Sequence, residues 1–330
     1  MILAGDIGGT KTVLALLMVS GGGLKTIVRE QTFASGEFDS FNQILDLFLS
    51  EDIAISAACF GVAGPVVNQR CFATNLRWSL DGERLKTRLA TPRVKLINDL
   101  EAMALGMLHL NEEDFIQLNP YAEQQTGNIA VIAAGTGLGE AWLYCDGQQH
   151  HPIATEGGHC SFAPQTSQQE QLLQYLRGLF PKHVSYERIL SGNGFSHLYD
   201  FLLHHRFAPA CPAVPNVEQG FSSDIDRNAI ISRLGITGED ALCAEAVRLF
   251  VEVYAAEAAN LVLKSFATGG VFIGGGIGPK IQSGLTSQAF MPAFVAKGRF
   301  QSFLAKLSIK LALNPKAPLI GAMHYFSEPQ

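Results

Sequence analysis

The stretch Gly5-Asp6-Ile7-Gly8-Gly9-Thr10-Lys11-Thr12 lies between the apolar run from Met1 to Leu3 and another from Val13 to Leu17. Central residues without a Cβ between two such runs predict a tight turn joining strands, with several backbone N–H groups turned towards one anion. Thr10 and Lys11 add donors, and Asp6 can orient a metal-bound water, so the turn has the parts of a nucleotide-phosphate site. It falls one residue short of a Walker A loop, because Thr10 stands where the second glycine before Lys-Thr belongs. A P-loop opens a helix, whereas Val13 and its neighbours predict a strand, so the hairpin is retained and the P-loop rejected. An ordinary glycine-rich hairpin is the alternative reading.

Four further stretches carry chemistry-bearing residues. Asn98-Asp99 follow the run from Arg93 to Ile97, at the carboxyl end of a predicted strand, where open α/β sheets bind ligands and an aspartate can serve as general base to a hydroxyl. Asn and Asp are also the preferred helix caps. Gly135-Thr136-Gly137-Leu138-Gly139 repeats the plan of the first turn between Ile129–Ala134 and Ala141–Tyr144, which again excludes a Rossmann loop leading into a helix. Glu156-Gly157-Gly158-His159 reads as a flexible loop whose glycines let a ligand approach the backbone, with Glu and His able to bond a polyhydroxylated substrate. Zinc fits it poorly, since no carboxylate or histidine pair at helical spacing accompanies His159. Gly274-Gly275-Gly276-Ile277-Gly278-Pro279-Lys280 offers bare backbone to a flat ring, or simply turns a strand into a helix.

The elements that must position these residues follow from hydrophobic period. Residues 24–34 read as a third strand, and Ser40 opens a helix on which Phe41, Ile44, Leu45 and Phe48 form one buried face. A strand over 53–62 stops at Ala63-Gly64-Pro65. The segment Thr74-Asn75-Leu76-Arg77-Trp78-Ser79 reads as a loop in which Trp78 either meets ligand or anchors packing, and a short helix runs from about Asp81 to Leu89. Asp99 starts a helix through Leu100, Met103, Ala104 and Met107. Asp146-Gly147 make a further hairpin turn. Helices are predicted over 168–180, from near Ser191, over about 224–234 and over 239–266, with His204 and His205 complementing a helix dipole and Pro209, Pro212 and Pro215 in an exposed loop. Val271–Ile273 and residues 308–313 read as strands, and Pro318 starts a closing helix to Phe326. The two strand–turn–strand units predict two related domains facing each other, with a nucleotide in the cleft between them.

Composition narrows the class. A chain of 330 residues, 47% hydrophobic and 16% charged, has the length and apolar content for two well-filled domains. A formal net charge of -6 and no Lys/Arg-rich run argue against nucleic acid as a partner. Glu257, Asn260 and Lys264 interrupt the most apolar long stretch, so no membrane span is predicted. The start lacks the basic region and cleavage site of a signal peptide, which predicts a cytoplasmic protein. Cys59, Cys71, Cys145, Cys160, Cys211 and Cys243 form no CxxC pair and read as reduced thiols.

Taken in order, these stretches resemble the bacterial glucokinases of the hexokinase, actin and Hsp70 superfamily, along essentially the whole chain. GDIGGTK resembles the first phosphate loop, VAGP with TNLRW the sugar-side segment, and LINDLEAMALG the stretch with the catalytic aspartate. AAGTGLGEAW resembles the second phosphate loop, EGGH the sugar-binding loop, ERILSGNG the segment with a further sugar-binding glutamate, and GGVFIGGGI the adenosine loop. The resemblance implies an α/β fold of two ribonuclease H-like (actin-like ATPase) domains around a cleft: residues 1–108, completed by a C-terminal helix in 314–330, and residues 109–313. It implies ATP-dependent phosphorylation of glucose with Asp99 as base, and Asn98, Asp99, Glu156, His159 and Glu187 on the sugar. Gly8, Gly9, Thr10, Lys11, Gly135, Thr136 and Gly137 would face the phosphates, Gly275 the adenosine, and Asp6 a magnesium ion through water. Lys11, where many members carry Asn, reaches either a phosphate or a carboxylate. The related ROK kinases carry a cysteine-rich zinc motif after their EHGH loop; only Cys160 stands there, so no structural zinc is expected. A homodimer is the family's usual form. A kinase for another hexose and an actin- or Hsp70-like ATPase are the alternatives.

Overall fold

The computed structural model describes residues 1–19, 25–49, 53–72, 78–216 and 225–326. Thr74 to Arg77 of the sugar-side segment, residue 24 of the third strand and residue 224 of a predicted helix lie outside them. In chain order the strands and α-helices are β1 Ile2–Ile7, β2 Lys11–Val19, β3 Lys25–Ala34, α1 Phe41–Phe48, β4 Ala57–Val62, β5 Val66–Val67, β6 Arg70–Phe72, β7 Ser79–Asp81, α2 Gly82–Arg88, β8 Val94–Asn98, α3 Asp99–Met107, β9 Phe115–Gln117, β10 Ile129–Ala134, β11 Leu138–Cys145, β12 His150–Ala154, α4 Ser167–Leu179, α5 Gly194–His204, α6 Arg227–Thr237, α7 Ala241–Ser265, β13 Gly270–Gly274, α8 Gln282–Leu285, α9 Phe290–Val295, α10 Gln301–Leu304, β14 Ile309–Ala312 and α11 Ala317–His324. The chain divides into one unit of Met1–Asp114, His151–Ala154 and Asn314–Gln330 and another of Phe115–His150 and Thr155–Leu313.

The first unit is built on a five-stranded sheet ordered β3-β2-β1-β4-β8. β1 pairs antiparallel with β2 and parallel with β4, which pairs parallel with β8. The carboxyl ends of β1, β4 and β8 therefore lie along one edge, and Asp6, Gly64 and Asn98-Asp99 stand at or just beyond those ends. The apolar runs of β1 and β4 are buried on both faces, as parallel strands covered on both sides must be. Phe41, Ile44, Leu45 and Phe48 of α1 cover one face of this sheet; Ala102 and Leu105 of α3 with Leu319 and Ala322 of α11 cover the other. Of the predicted Thr74–Ser79 loop, Ser79 instead starts β7 of a small antiparallel sheet β5-β6-β7, and Trp78 beside it is an anchor: it is buried and its indole N–H donates to Phe38 O at 3.0 Å.

In the second unit β10 pairs antiparallel with β11 and parallel with β13, β13 pairs parallel with β14, and β9 closes that edge antiparallel. α7 is buried on all sides through most of its length, which its nearly uniform apolar sequence requires. Its Asp240 cap accepts from the Cys243 N–H. Tyr254, near the middle of α7, binds the end of β10: Ala134 N–H donates to its hydroxyl at 3.2 Å, and the hydroxyl reaches Ile132 O at 3.3 Å. His204 and His205 are exposed at the end of α5, as read from the sequence.

Two glycines let α11 press backbone to backbone against α3. A Cβ on Gly106 would overlap the Ala317 carbonyl, and one on Gly321 would overlap that of Ala102. Neither obstacle is a flexible side-chain end. Gly321→Ala is therefore expected to cost about 1–3 kcal/mol and to lower Tm by several degrees, read by calorimetry; an unchanged Tm would show that α11 does not hold α3 in this way.

Candidate functional site

The first glycine turn of the first unit is a β1–β2 hairpin, not the start of a helix. Gly8 N–H donates to Lys11 O at 3.0 Å, closing the turn. Ser35, which no periodicity singles out, fastens it: its hydroxyl donates to Gly8 O at 2.8 Å and lies 2.9 Å from Thr12 Oγ1, while its N–H donates to Thr10 O at 3.0 Å. With these acceptors engaged, Gly8 and Gly9 stay half-buried and Thr10 and Lys11 exposed. Asp6, on the last turn of β1, is pushed up to about 6 by burial, partly offset by the Lys11 ammonium.

Along the same edge, Asn98 caps α3. Its Oδ1 accepts Leu100 N–H at 2.8 Å, its own N–H donates to Glu101 Oε2 at 2.8 Å, and its Nδ2 donates to Gly64 O at 3.2 Å. This capping box ties the Ala63-Gly64 turn to the first turn of α3. Asp99 follows as the first residue of the helix, and its Oδ1 accepts Leu100 N–H at 3.0 Å. Gly61 makes the placement possible, because a Cβ there would stand 2.7 Å from the Ala102 Cβ. The structure thus brings Asp6, the first glycine turn and Asn98-Asp99 to one sheet edge.

In the second unit three predicted stretches meet. Gly135 N–H donates to Gly137 O at 2.8 Å within the second glycine turn, and Gly192 N–H donates to Gly135 O at 2.9 Å. Glu187 packs on this turn: its Oε2 accepts Leu138 N–H at 3.1 Å and occupies the space a Cβ on Gly137 would need. Gly275, at φ 81°, approaches the Ala134 carbonyl, which also accepts Ile277 N–H at 3.1 Å. Glu156 and His159 are exposed on a single 3-10 turn, Gly157–His159.

That turn corrects the reading of its glycines as openings for a ligand. A Cβ on Gly158 would overlap the Leu138 carbonyl, and one on Gly157 would overlap the Glu140 carboxylate, so both let the loop press onto β11. Thr155 completes the attachment, its hydroxyl donating to Glu140 O at 2.8 Å and accepting Gly157 N–H at 3.1 Å. Glu140 is a residue that sequence reasoning missed; a lone Glu among Leu138, Ala141 and Leu143 on a buried strand was the available signal.

Residues 3–329 match the glucokinase family profile. The chain belongs to the glucokinase family. A glucokinase of Nostoc sp. is 38% identical over 98% of this chain and 97% of its own length. A crystallised glucokinase from an Antarctic psychrotroph superposes with a TM-score of 0.84 at 31% identity, covering 99% of this chain and 98% of that one. A ROK-family glucokinase from Streptomyces griseus, solved with glucose and AMPPNP, shares the fold at a TM-score of 0.62 and 21% identity, covering 97% of each chain. The fold is the two-domain actin-like ATPase fold of these kinases. Membership makes the chain a kinase, with ATP as a substrate. Among the described residues no helix is long and apolar enough to cross a membrane.

The two kinds of glycine separate experimentally. A Cβ on Gly135 meets nothing within 4 Å, so Gly135→Ala is expected to leave Tm within about 2 °C of the parent. Gly158→Ala, forced against a backbone carbonyl, is expected to cost about 1–3 kcal/mol; equal Tm values for the two variants would contradict the packing described.

Proposed function

We propose that Asp99 is the general base in the ATP-dependent phosphorylation of D-glucose to glucose 6-phosphate, the reaction that membership of the glucokinase family supports. The observation that carries the assignment is the position of Asp99, in the first turn of α3 on the edge where the first glycine turn ends β1.

Phosphoryl transfer asks a protein for positioning and for neutralisation of charge more than for covalent chemistry. Asp99 takes the proton of the sugar 6-hydroxyl as that oxygen attacks the γ-phosphorus in line. Asn98, Glu156, His159 and Glu187 hold other sugar hydroxyls, and polar partners that the bound sugar covers and a wrong epimer leaves unpaired supply specificity. The turn of Gly8, Gly9 and Thr10, with Lys11, and the turn of Gly135, Thr136 and Gly137 face the phosphates, and Gly275 faces the adenosine. Asp6 would hold magnesium through water, and the ion would supply positive charge to the phosphates. The reading includes a small domain of residues 1–108 with 314–330 beside a large one of 109–313, no structural zinc, a cytoplasmic location and a homodimeric assembly.

A coupled assay of ADP release with Mg·ATP against glucose, fructose, mannose, N-acetylglucosamine and no sugar tests the reaction. Turnover with glucose is expected, and release that ignores the sugar would overturn it. Asp99→Asn is expected to lower kcat by about 10²–10⁴-fold while the KM for glucose changes little; undiminished kcat would remove Asp99 from the role.

A further inference from the structure

We propose that Glu140 is a positioning residue of the Thr155–His159 loop, holding it in its sugar-binding position while the carboxyl is neutral and releasing it when the carboxyl ionises. The inference rests on the reading above for that loop.

Glu140 is 1% exposed, on a strand otherwise apolar on its buried face. Its carboxylate lies directly beneath Gly157, close enough to exclude a Cβ, and its backbone carbonyl accepts the Thr155 hydroxyl that in turn receives Gly157 N–H. One residue thus meets the loop twice, its main chain bonding Thr155 and its side chain packing beneath Gly157. Its Oε1 has no hydrogen-bond partner among the described residues. A buried carboxylate in that condition forfeits hydration without replacement, so the neutral acid is the stable form.

The charges around it enforce the same choice. From α7, Glu257 is fully buried and faces Glu140; it is already bonded to Lys264 Nζ at 3.1 Å and Asn260 Nδ2 at 2.8 Å. Lys264, the cation that partly favours an ionised Glu140, is thereby shared, and its side chain is 54% exposed. Lys297 bonds Asn260 Oδ1 at 2.7 Å. The remaining titratable neighbours, Tyr254 on α7 and Tyr186 before α5, are phenols that burial keeps neutral, and Glu156, His159 and Cys160 are exposed in or beside the loop. Ionising Glu140 would place a second carboxylate beside Glu257 with no cation of its own. Burial, and then Glu257, push Glu140 up to about 8 from 4.5.

The sign follows. The folded chain holds a proton that the unfolded chain loses near 4.5, so this stabilisation is complete below that pH and is lost as pH rises towards 8. Above it the carboxylate itself forms beneath Gly157 and pushes the loop from β11. For the parent protein the KM for glucose is expected to rise by up to about tenfold per pH unit between about pH 8 and about pH 9, with kcat at saturating glucose and the KM for ATP much less affected. Glu140→Gln, isosteric and without a charge to gain, is expected to match the parent near neutrality and to abolish that rise. Amide hydrogen exchange of residues 155–160 without sugar, corrected for intrinsic rates, reads the loop directly: protection should fall across the same range in the parent and not in Glu140→Gln. Identical pH profiles of exchange in the two proteins would overturn the inference. A loop that loosens as described while the KM for glucose stays flat would instead support the positioning and overturn the loop's sugar role.

Discussion

The close seat of α3 between a sheet and a second helix is the constraint on which the first unit depends. Gly61 lets the helix down onto β4, where a Cβ would meet Ala102, and Gly106 and Gly321 let α11 press on it from the far side. Ala102 and Ala104 are fully buried there. With two of these three contacts made against backbone carbonyls and the third against the Ala102 Cβ, α3 has little freedom to slide, because interiors packed at this density yield only by opening a cavity or displacing a neighbour. The N-terminus of α3 is fixed in turn by the Asn98–Glu101 capping box and the Asn98 contact to Gly64. Asp99 inherits its position from these contacts, which are far less sensitive to salt than an ion pair would be. The general base proposed at Asp99 would need this kind of support, since catalysis depends on the position of the group.

The second unit solves a similar problem with carboxylates as wedges. Glu187 fills the space over Gly137 and accepts Leu138 N–H, while Glu140 fills the space under Gly157. In both places the missing Cβ serves packing of protein on protein. The two acids differ in the partners available to them. Glu187 has a backbone donor and is half-buried, whereas Glu140 has an oxygen without a partner and a buried acid, Glu257, facing it. A carboxyl can remain in the second setting only by keeping its proton, which makes packing there sensitive to pH.

Much of this was legible in the sequence where local pattern and final environment agree. The strand–glycine turn–strand units, the i, i+3, i+4, i+7 face of α1 and the strand-to-helix passage at Asn98-Asp99 each follow from one period meeting another, and the strands pair accordingly. The long helix predicted over 239–266 is α7, and the closing helix begins with proline in its first turn. What could not be read was set by distant partners. Strands of two or three residues, such as β5 to β7, are too short to show a period, and β9 exists because β14 offers it an edge. Ser35 and Glu140 are ordinary residues in sequence; their importance comes from Gly8 and Gly157, which approach them only after folding.

The glycines show why such a boundary exists. From the sequence each glycine in these motifs offers bare backbone, and whether ligand or protein occupies the vacancy is the same question for all of them. In the fold, Gly135 and Gly276 face open space, whereas Gly137, Gly157, Gly158 and Gly275 are each filled from within by Glu187, Glu140, Leu138 and Ala134. Glycines left open can admit a phosphate or a ring, while filled ones bring two loops and a strand end into register around them. A motif of glycines that look alike in sequence thus divides by what stands where a Cβ would be, open space at Gly135 and Gly276 and protein at the others, and only the tertiary contacts make that division.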